Sequence, residues 1–131
     1  MTSSKKLLSC FTLLIIIFSC SKEKSRLLDN EWRLDTYLEH TDSTAVNLPE
    51  EKDYLLSFLG TNTYFFGLDI MSRCNGEVST RRNRINFVDA DCFDTLTYVN
   101  ELLLEVGEFE VDEDRLFLTG EEGLRMEFSK Y

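Results

Sequence analysis

The chain has 131 residues, of which 24 are acidic and 14 basic, for a net charge of −10 at pH 7. That balance excludes the electrostatic footprint of a nucleic-acid binder, which needs clustered Lys and Arg, and it describes a soluble, self-repelling surface. The length suits one domain with one modest core.

In chain order, the first segment reads as a secretory signal. Lys5 and Lys6 form a basic start, Leu7 to Ser19 is mostly apolar, and Ser21 to Arg26 is wholly polar. Crossing a hydrocarbon core takes about 20 apolar residues, so this run is too short for a transmembrane helix. Its end, Ile17-Phe18-Ser19-Cys20, resembles the bacterial lipobox, in which a peptidase cuts before the cysteine and the thiol carries a diacylglyceryl group. Phe18 is bulkier than that pattern usually has. The expected organisation is a signal peptide at 1–19, a lipidated tether at 20–26 with Cys20 as the attachment site, and a domain at 27–131. Loss of residues 1–19 removes two lysines and no acids, leaving 12 basic and 24 acidic residues, net −12. Ser21 follows Cys20 without an Asp to retain the protein at the inner membrane, which resembles the sorting pattern for the outer membrane. The expected location is therefore the cell envelope, with the membrane as partner through the lipid and the periplasmic and surface faces both open.

Cysteine parity follows from the same reading. Cys10 leaves with the signal and Cys20 is taken by lipid, so Cys74 and Cys92 remain, an even number in a compartment where disulfides persist. They are expected to pair, closing a loop of about nineteen residues that stabilises by on the order of 3 kcal/mol through loop entropy. Two free, buried thiols are the alternative. A zinc site lacks ligands, because these two cysteines and the single, distant His40 do not make four.

Trp32, Leu34, Thr36 and Leu38 alternate with polar neighbours and predict a half-buried strand. His40 to Asp53 is polar, holds the single proline, Pro49, and reads as a loop. Tyr54, Leu56 and Phe58, then Tyr64, Phe66 and Leu68, alternate around "LGTNT" and predict a hairpin. Asn75-Gly76 reads as a turn dipeptide, followed by a weaker strand at Glu77 to Arg82, a turn at Asn83 and a strand carrying Ile85 and Phe87. From Thr95 to Val106 the period becomes helical: Leu96, Val99, Leu102, Leu103 and Val106 share one stripe, with Asp94 as N-cap and Gly107 as the stop. Three short alternating runs follow, Phe109 with Val111, Leu116 with Leu118, and Leu124 with Met126 and Phe128, joined by "DED" and "GEEG". They predict a C-terminal three-stranded meander.

Seven to eight antiparallel strands and one amphipathic helix predict an α+β fold, a small barrel-like sheet that curls to hide its apolar face and edges. Trp32 near the domain start, the aromatic-ended strand at Phe58, "RCNGEV" at 73–78, Cys92 before a helix and the final "FEVDEDRLFLTGEEGLRMEFSK" resemble the META domain, or HslJ-like, family over nearly all of 27–131. Arg73 stands where that family usually has Gly, and Asp89-Ala90-Asp91 where it usually has a Thr-rich approach to the second cysteine. The resemblance implies a small antiparallel barrel-like domain on envelope lipoproteins, without an established catalytic activity. It further implies links to stress or antibiotic tolerance and to secretion.

Two constellations invite chemistry. Asp89, Asp91 and Asp94 surround Cys92, but the spacing lacks the glycine and distal Glu of a calcium loop, so a solvated turn and helix cap is expected and no metal or cofactor. His40 lies beside Glu39, Thr41 and Asp42 without a nucleophile-elbow sequence, so no enzyme is expected. Three function classes stand in order: a lipid-anchored module contacting an envelope protein, a lipocalin-like binder of a small apolar ligand, and, far behind, a hydrolase. An acid-rimmed apolar patch would mark the first, an apolar interior cavity the second, and a pocket joining His40 to a carboxylate and a hydroxyl the third.

Overall fold

The computed structural model describes residues 22–49, 51–68, 73–92 and 98–131. The signal segment, Cys20, Asp94 and Leu96 lie outside the described residues. Helix α1 spans 22–28, and nine strands follow: β1 (Trp32–Leu38), β2 (Val46–Asn47), β3 (Leu55–Leu59), β4 (Thr63–Gly67), β5 (Cys74–Arg81), β6 (Arg84–Cys92), β7 (Val106–Asp112), β8 (Arg115–Gly120) and β9 (Arg125–Lys130). Helix α2 (Tyr98–Leu103) precedes β7. No helix among the described residues is long and apolar enough to cross a membrane.

The sheet is antiparallel throughout and runs β1-β3-β4-β5-β6-β7-β8-β9, then returns to β1. It is a closed eight-stranded barrel, as the alternating pattern predicts. The closing seam joins β1 to β9 from Trp32↔Lys130 to Leu38↔Arg125. Strand β2, inside the predicted loop, is the extra one: it pairs with β1 at Thr36↔Asn47, beyond the point where β3 leaves β1. The thinnest pairing lies between β6 and β7, which share the single ladder position Arg84↔Glu108.

Period-two alternation turns one side chain in two inward. Trp32, Leu34, Leu56, Tyr64, Phe66, Phe87, Leu116, Leu118, Met126 and Phe128 are each at most 1% exposed. Their rings meet across the barrel and not only along its wall. Phe66 on β4 lies 6.2 Å from Phe128 on β9, which is not its neighbour in the sheet, and Phe58 on β3 lies 6.5 Å from Phe87 on β6. The interior is a packed core, as expected for a barrel of about eight strands.

A helix closes each end. At one end Leu27 of α1 is fully buried and its carbonyl accepts the indole N–H of Trp32 at 2.9 Å, while Arg26 donates to the Glu113 carbonyl at 2.8 Å. Residues 22–28 are therefore a docked helix, where the polar composition of 21–26 had pointed to a tether. At the other end Val99, Leu102 and Leu103 of α2 are buried. The predicted helical stripe overshoots: the chain turns at Leu104 and Glu105, whose N–H groups bond to Glu101 and Leu102, and Val106 and Gly107 begin β7. Val106 is buried all the same, because the register shift at Gly107 brings it to the same face of β7 as Phe109 and Val111.

Asn75-Gly76 is not a turn. Both residues sit inside β5, where the register shifts against β6 between Asn75 and Glu77. The glycine is needed for close approach: a Cβ on Gly76 would collide with the carbonyl of Val88 and lie 2.6 Å from that of Asp89. Asp89 opposite adopts φ 57°, which a short polar side chain tolerates, so the dipeptide marks a β-bulge.

Candidate functional site

Strands β7 and β8, the 3₁₀ turn Glu121–Gly123 and the chain leaving β1 enclose a cleft of about 710 Å³ on the outside of the barrel, at the α2 end. Its floor is bare at Gly107, the extra residue where the β7–β8 register shifts, while Gly120, paired with Val106, lets the Glu105 carbonyl approach: a Cβ there would lie 2.6 Å from that oxygen. One rim is tied down by Thr41, whose N–H donates to the Glu122 carbonyl at 3.1 Å. This approach demands a glycine next door, since a Cβ on Gly123 would lie 2.5 Å from the Thr41 nitrogen. Gly123 itself has φ 88°.

The lining is charged. Glu39, Glu105, Glu108, Glu121 and Glu122 face Arg84, His40 and Thr119. Five carboxylates against one guanidinium make a field that attracts cationic groups and repels anions. Glu39 also accepts a hydrogen bond from Tyr98 on α2, and this bond, reinforced by the carboxylate charges of Glu39 and Glu105, pushes the Tyr98 phenol up to about 12. A second phenol behaves likewise for a different reason: burial of Tyr64 in the core, with Asp89 nearby, pushes it to about 12.

The structure thus places His40 in a cleft with carboxylates and the Thr119 hydroxyl. Its Nε2 stands 3.7 Å from Glu39 Oε1, too far for a hydrogen bond, and both side chains are open to solvent. Its backbone N–H donates to Ser43 Oγ at 3.0 Å, and among the described residues no hydroxyl bonds to its ring. A serine-type triad needs a base hydrogen-bonded to its nucleophile.

Cys74 and Cys92 are bonded to one another as a cross-strand pair of β5 and β6, with Cα atoms 4.1 Å apart. Asn100 on α2, 3% exposed, donates to Cys74 Sγ at 2.6 Å, so the disulfide also anchors the helix. Asp89 and Asp91 stand on β6 and Asp94 lies outside the described residues; among the described residues no three metal-binding side chains converge. The exposed large apolar residues Val46, Leu59, Val88, Tyr98 and Tyr131 come from different elements. The cleft residues escape sequence reading because they come from four distant segments, at 39–40, 84, 105–108 and 119–124, which only the fold brings together. Only the bare glycine at 107 hints at an opening.

No family model matches the chain, and no curated protein is similar to it at a significant level. Among solved structures, the fold is similar to that of a protein from Burkholderia xenovorans determined by NMR. The TM-score is 0.60 at 15% identity, over 82% of this chain and 86% of the other. At that identity the likeness speaks for the fold alone.

Proposed function

We propose that the chain is a lipid-anchored module of the cell envelope, exported by the signal at 1–19 and held at the outer membrane through Cys20, whose barrel contacts another envelope protein. Its resemblance to the META (HslJ-like) family supports a stress or secretion accessory role without catalysis. The observation that carries the reading is the filled interior. With Phe66 meeting Phe128 across the axis, the outer surface is left for recognition, and the acidic cleft of about 710 Å³ lies there. The complementary partner presents a basic or polar segment to it. The alternative, a lipocalin-like binder of a small apolar ligand, has the closed barrel in its favour and the occupied core against it.

A photo-reactive residue at Glu121, inside the cleft, tests the partner in intact cells against the same probe at exposed Leu59, on the β3–β4 turn. One defined adduct from position 121 and none from 59 is expected. Equal labelling from both positions, or an apolar molecule co-purifying with the barrel, would sink the partner reading. Fractionation of a Cys20→Ala variant tests the anchor separately: retention in membranes at the wild-type level would remove it.

A further inference from the structure

The net charge of the whole chain argues against contact with anionic membrane, yet its basic residues are not evenly spread. Three of the fourteen, Arg81, Arg82 and Arg84, fall in four consecutive positions at the β5–β6 hairpin. With Asn83 they line a recess of about 250 Å³, all four exposed, and Arg82 adopts φ 57° at the tip. None of the three arginines forms an ion pair among the described residues. Arg84 stands opposite Glu108 across the β6–β7 ladder, so Arg81 and Arg82 carry most of the uncompensated charge.

The hairpin also lies beside the start of the domain. Glu23 of α1 lines a second recess of about 320 Å³ together with Asn83 at the hairpin tip. Cys20 is three residues upstream of Glu23, and three residues span at most about 10 Å. Screening in salt at physiological strength acts over a length of about 8 Å. Glu23 thus lies about one screening length from the attachment point, so the hairpin meets the charge of a surface to which Cys20 is anchored by direct contact and not through long-range attraction.

We propose that the Arg81–Arg84 hairpin binds the phosphates of anionic phospholipid headgroups, and so sets how the barrel stands on its membrane. The proposal rests on the lipid-anchoring reading above. Arg pairs with phosphate through two parallel N–H donors, and each basic residue near an anionic surface strengthens attachment roughly fivefold. The neighbouring β7–β8 turn, Asp112 to Asp114, is acidic and projects from the α1 end of the barrel, where Arg26 reaches the Glu113 carbonyl. The two turns therefore give the protein one attracted and one repelled sector. The barrel tips toward the hairpin, which leaves the acidic turn lifted from the lipid.

The test is arginine footprinting with phenylglyoxal, read by mass spectrometry, on the protein as recovered from cells and reconstituted into vesicles. One vesicle set is phosphatidylcholine alone and the other includes phosphatidylglycerol. Modification of Arg81 and Arg82 is expected to slow at least fivefold in the phosphatidylglycerol set, with Arg84 following. Arg73, which precedes β5 at the far end of that strand, serves as the unprotected control. High salt should remove the protection. Equal rates in both vesicle sets overturn the proposal. So does matching protection by inorganic phosphate added to the phosphatidylcholine set, which would make the occupant a soluble anion. The same spectra report whether the Cys20 peptide carries acyl mass. If it does not, the anchoring reading fails, while the footprint with added phosphatidylglycerol vesicles still decides the hairpin's chemistry.

Discussion

The two ends of this barrel are closed by different means. At the α1 end the plug is held by packing and one buried hydrogen bond, from the Trp32 indole to the Leu27 carbonyl. At the α2 end it is held by apolar packing of Val99, Leu102 and Leu103, and by Asn100 seated on a disulfide. Helix α1 leads directly into β1, so a local contact five residues apart suffices. Helix α2 interrupts the wall between β6 and β7, where one ladder position remains, and there a covalent link supplements the missing strand pairing. The cross-link ties down the strand whose other edge is thinnest.

The largest expected effect comes from the end without a covalent tie. Trp32→Ala should cost about 3–5 kcal/mol, since it empties a fully buried site and leaves the Leu27 carbonyl without its donor. Urea unfolding measures this, and a loss below about 1 kcal/mol would mean that α1 is a dispensable cover. At the other end, Leu103→Ala should cost about 2–5 kcal/mol, whereas Glu101→Ala on the exposed side of the same helix should stay within about 0.5 kcal/mol. Comparable small shifts from both would mean that α2 is loosely held and free to dock elsewhere.

Replacing both Cys74 and Cys92 by Ser should cost on the order of 3 kcal/mol by loop entropy. The contrast between the ends sharpens if the loss appears first as faster hydrogen exchange in α2 and β6, with α1 still protected. Uniform loosening would break it.

The smallest effect concerns pH. The Tyr64 and Tyr98 phenols ionise near 12 in the fold, against 10.0 for an unperturbed phenol. The unfolded chain therefore gives up these protons first, so their contribution is complete below pH 10 and is lost as pH rises through about 12. Tyr98→Phe should leave neutral stability nearly unchanged and remove one late phenolate step from an ultraviolet titration. Persistence of both late steps would show that Glu39 does not hold Tyr98.

The barrel was legible because its wall obeys one rule: inward residues alternate, and the pairs Leu116 with Leu118 and Met126 with Phe128 show it without help from distant sequence. The disulfide was legible from the parity of the two cysteines that remain once Cys10 and Cys20 are set aside. The misreadings share a cause, since each is a local signal decided by a distant contact. Asn75-Gly76 has the composition of a turn, but the carbonyls of Val88 and Asp89 across the ladder determine its use. The stripe ending at Val106 has helical spacing, but the pairing of Val106 with Gly120 claims that residue for a strand. Residues 22–26 are polar enough to be a tether, and it is the reach of Arg26 to Glu113, 87 positions away, that docks them. The cleft was illegible for the same reason, as Glu39, Glu108 and Glu121 acquire a common address only after β1, β7 and β8 are in place.

The seam between β1 and β9 governs the order of events during synthesis. The wall closes by joining Trp32 to Lys130, nearly a hundred positions apart, so every other hairpin can form before the barrel has an inside. Until β9 arrives, the aromatic face of an open, curled sheet is bare to water and to other chains. A chain synthesised N-terminus first holds that state until its last strand emerges. High contact order then slows the final step as well. Chaperones that hold unfinished chains thus have a defined window of action, which ends when the last strand emerges, and a premature stop before Arg125 would prolong it indefinitely.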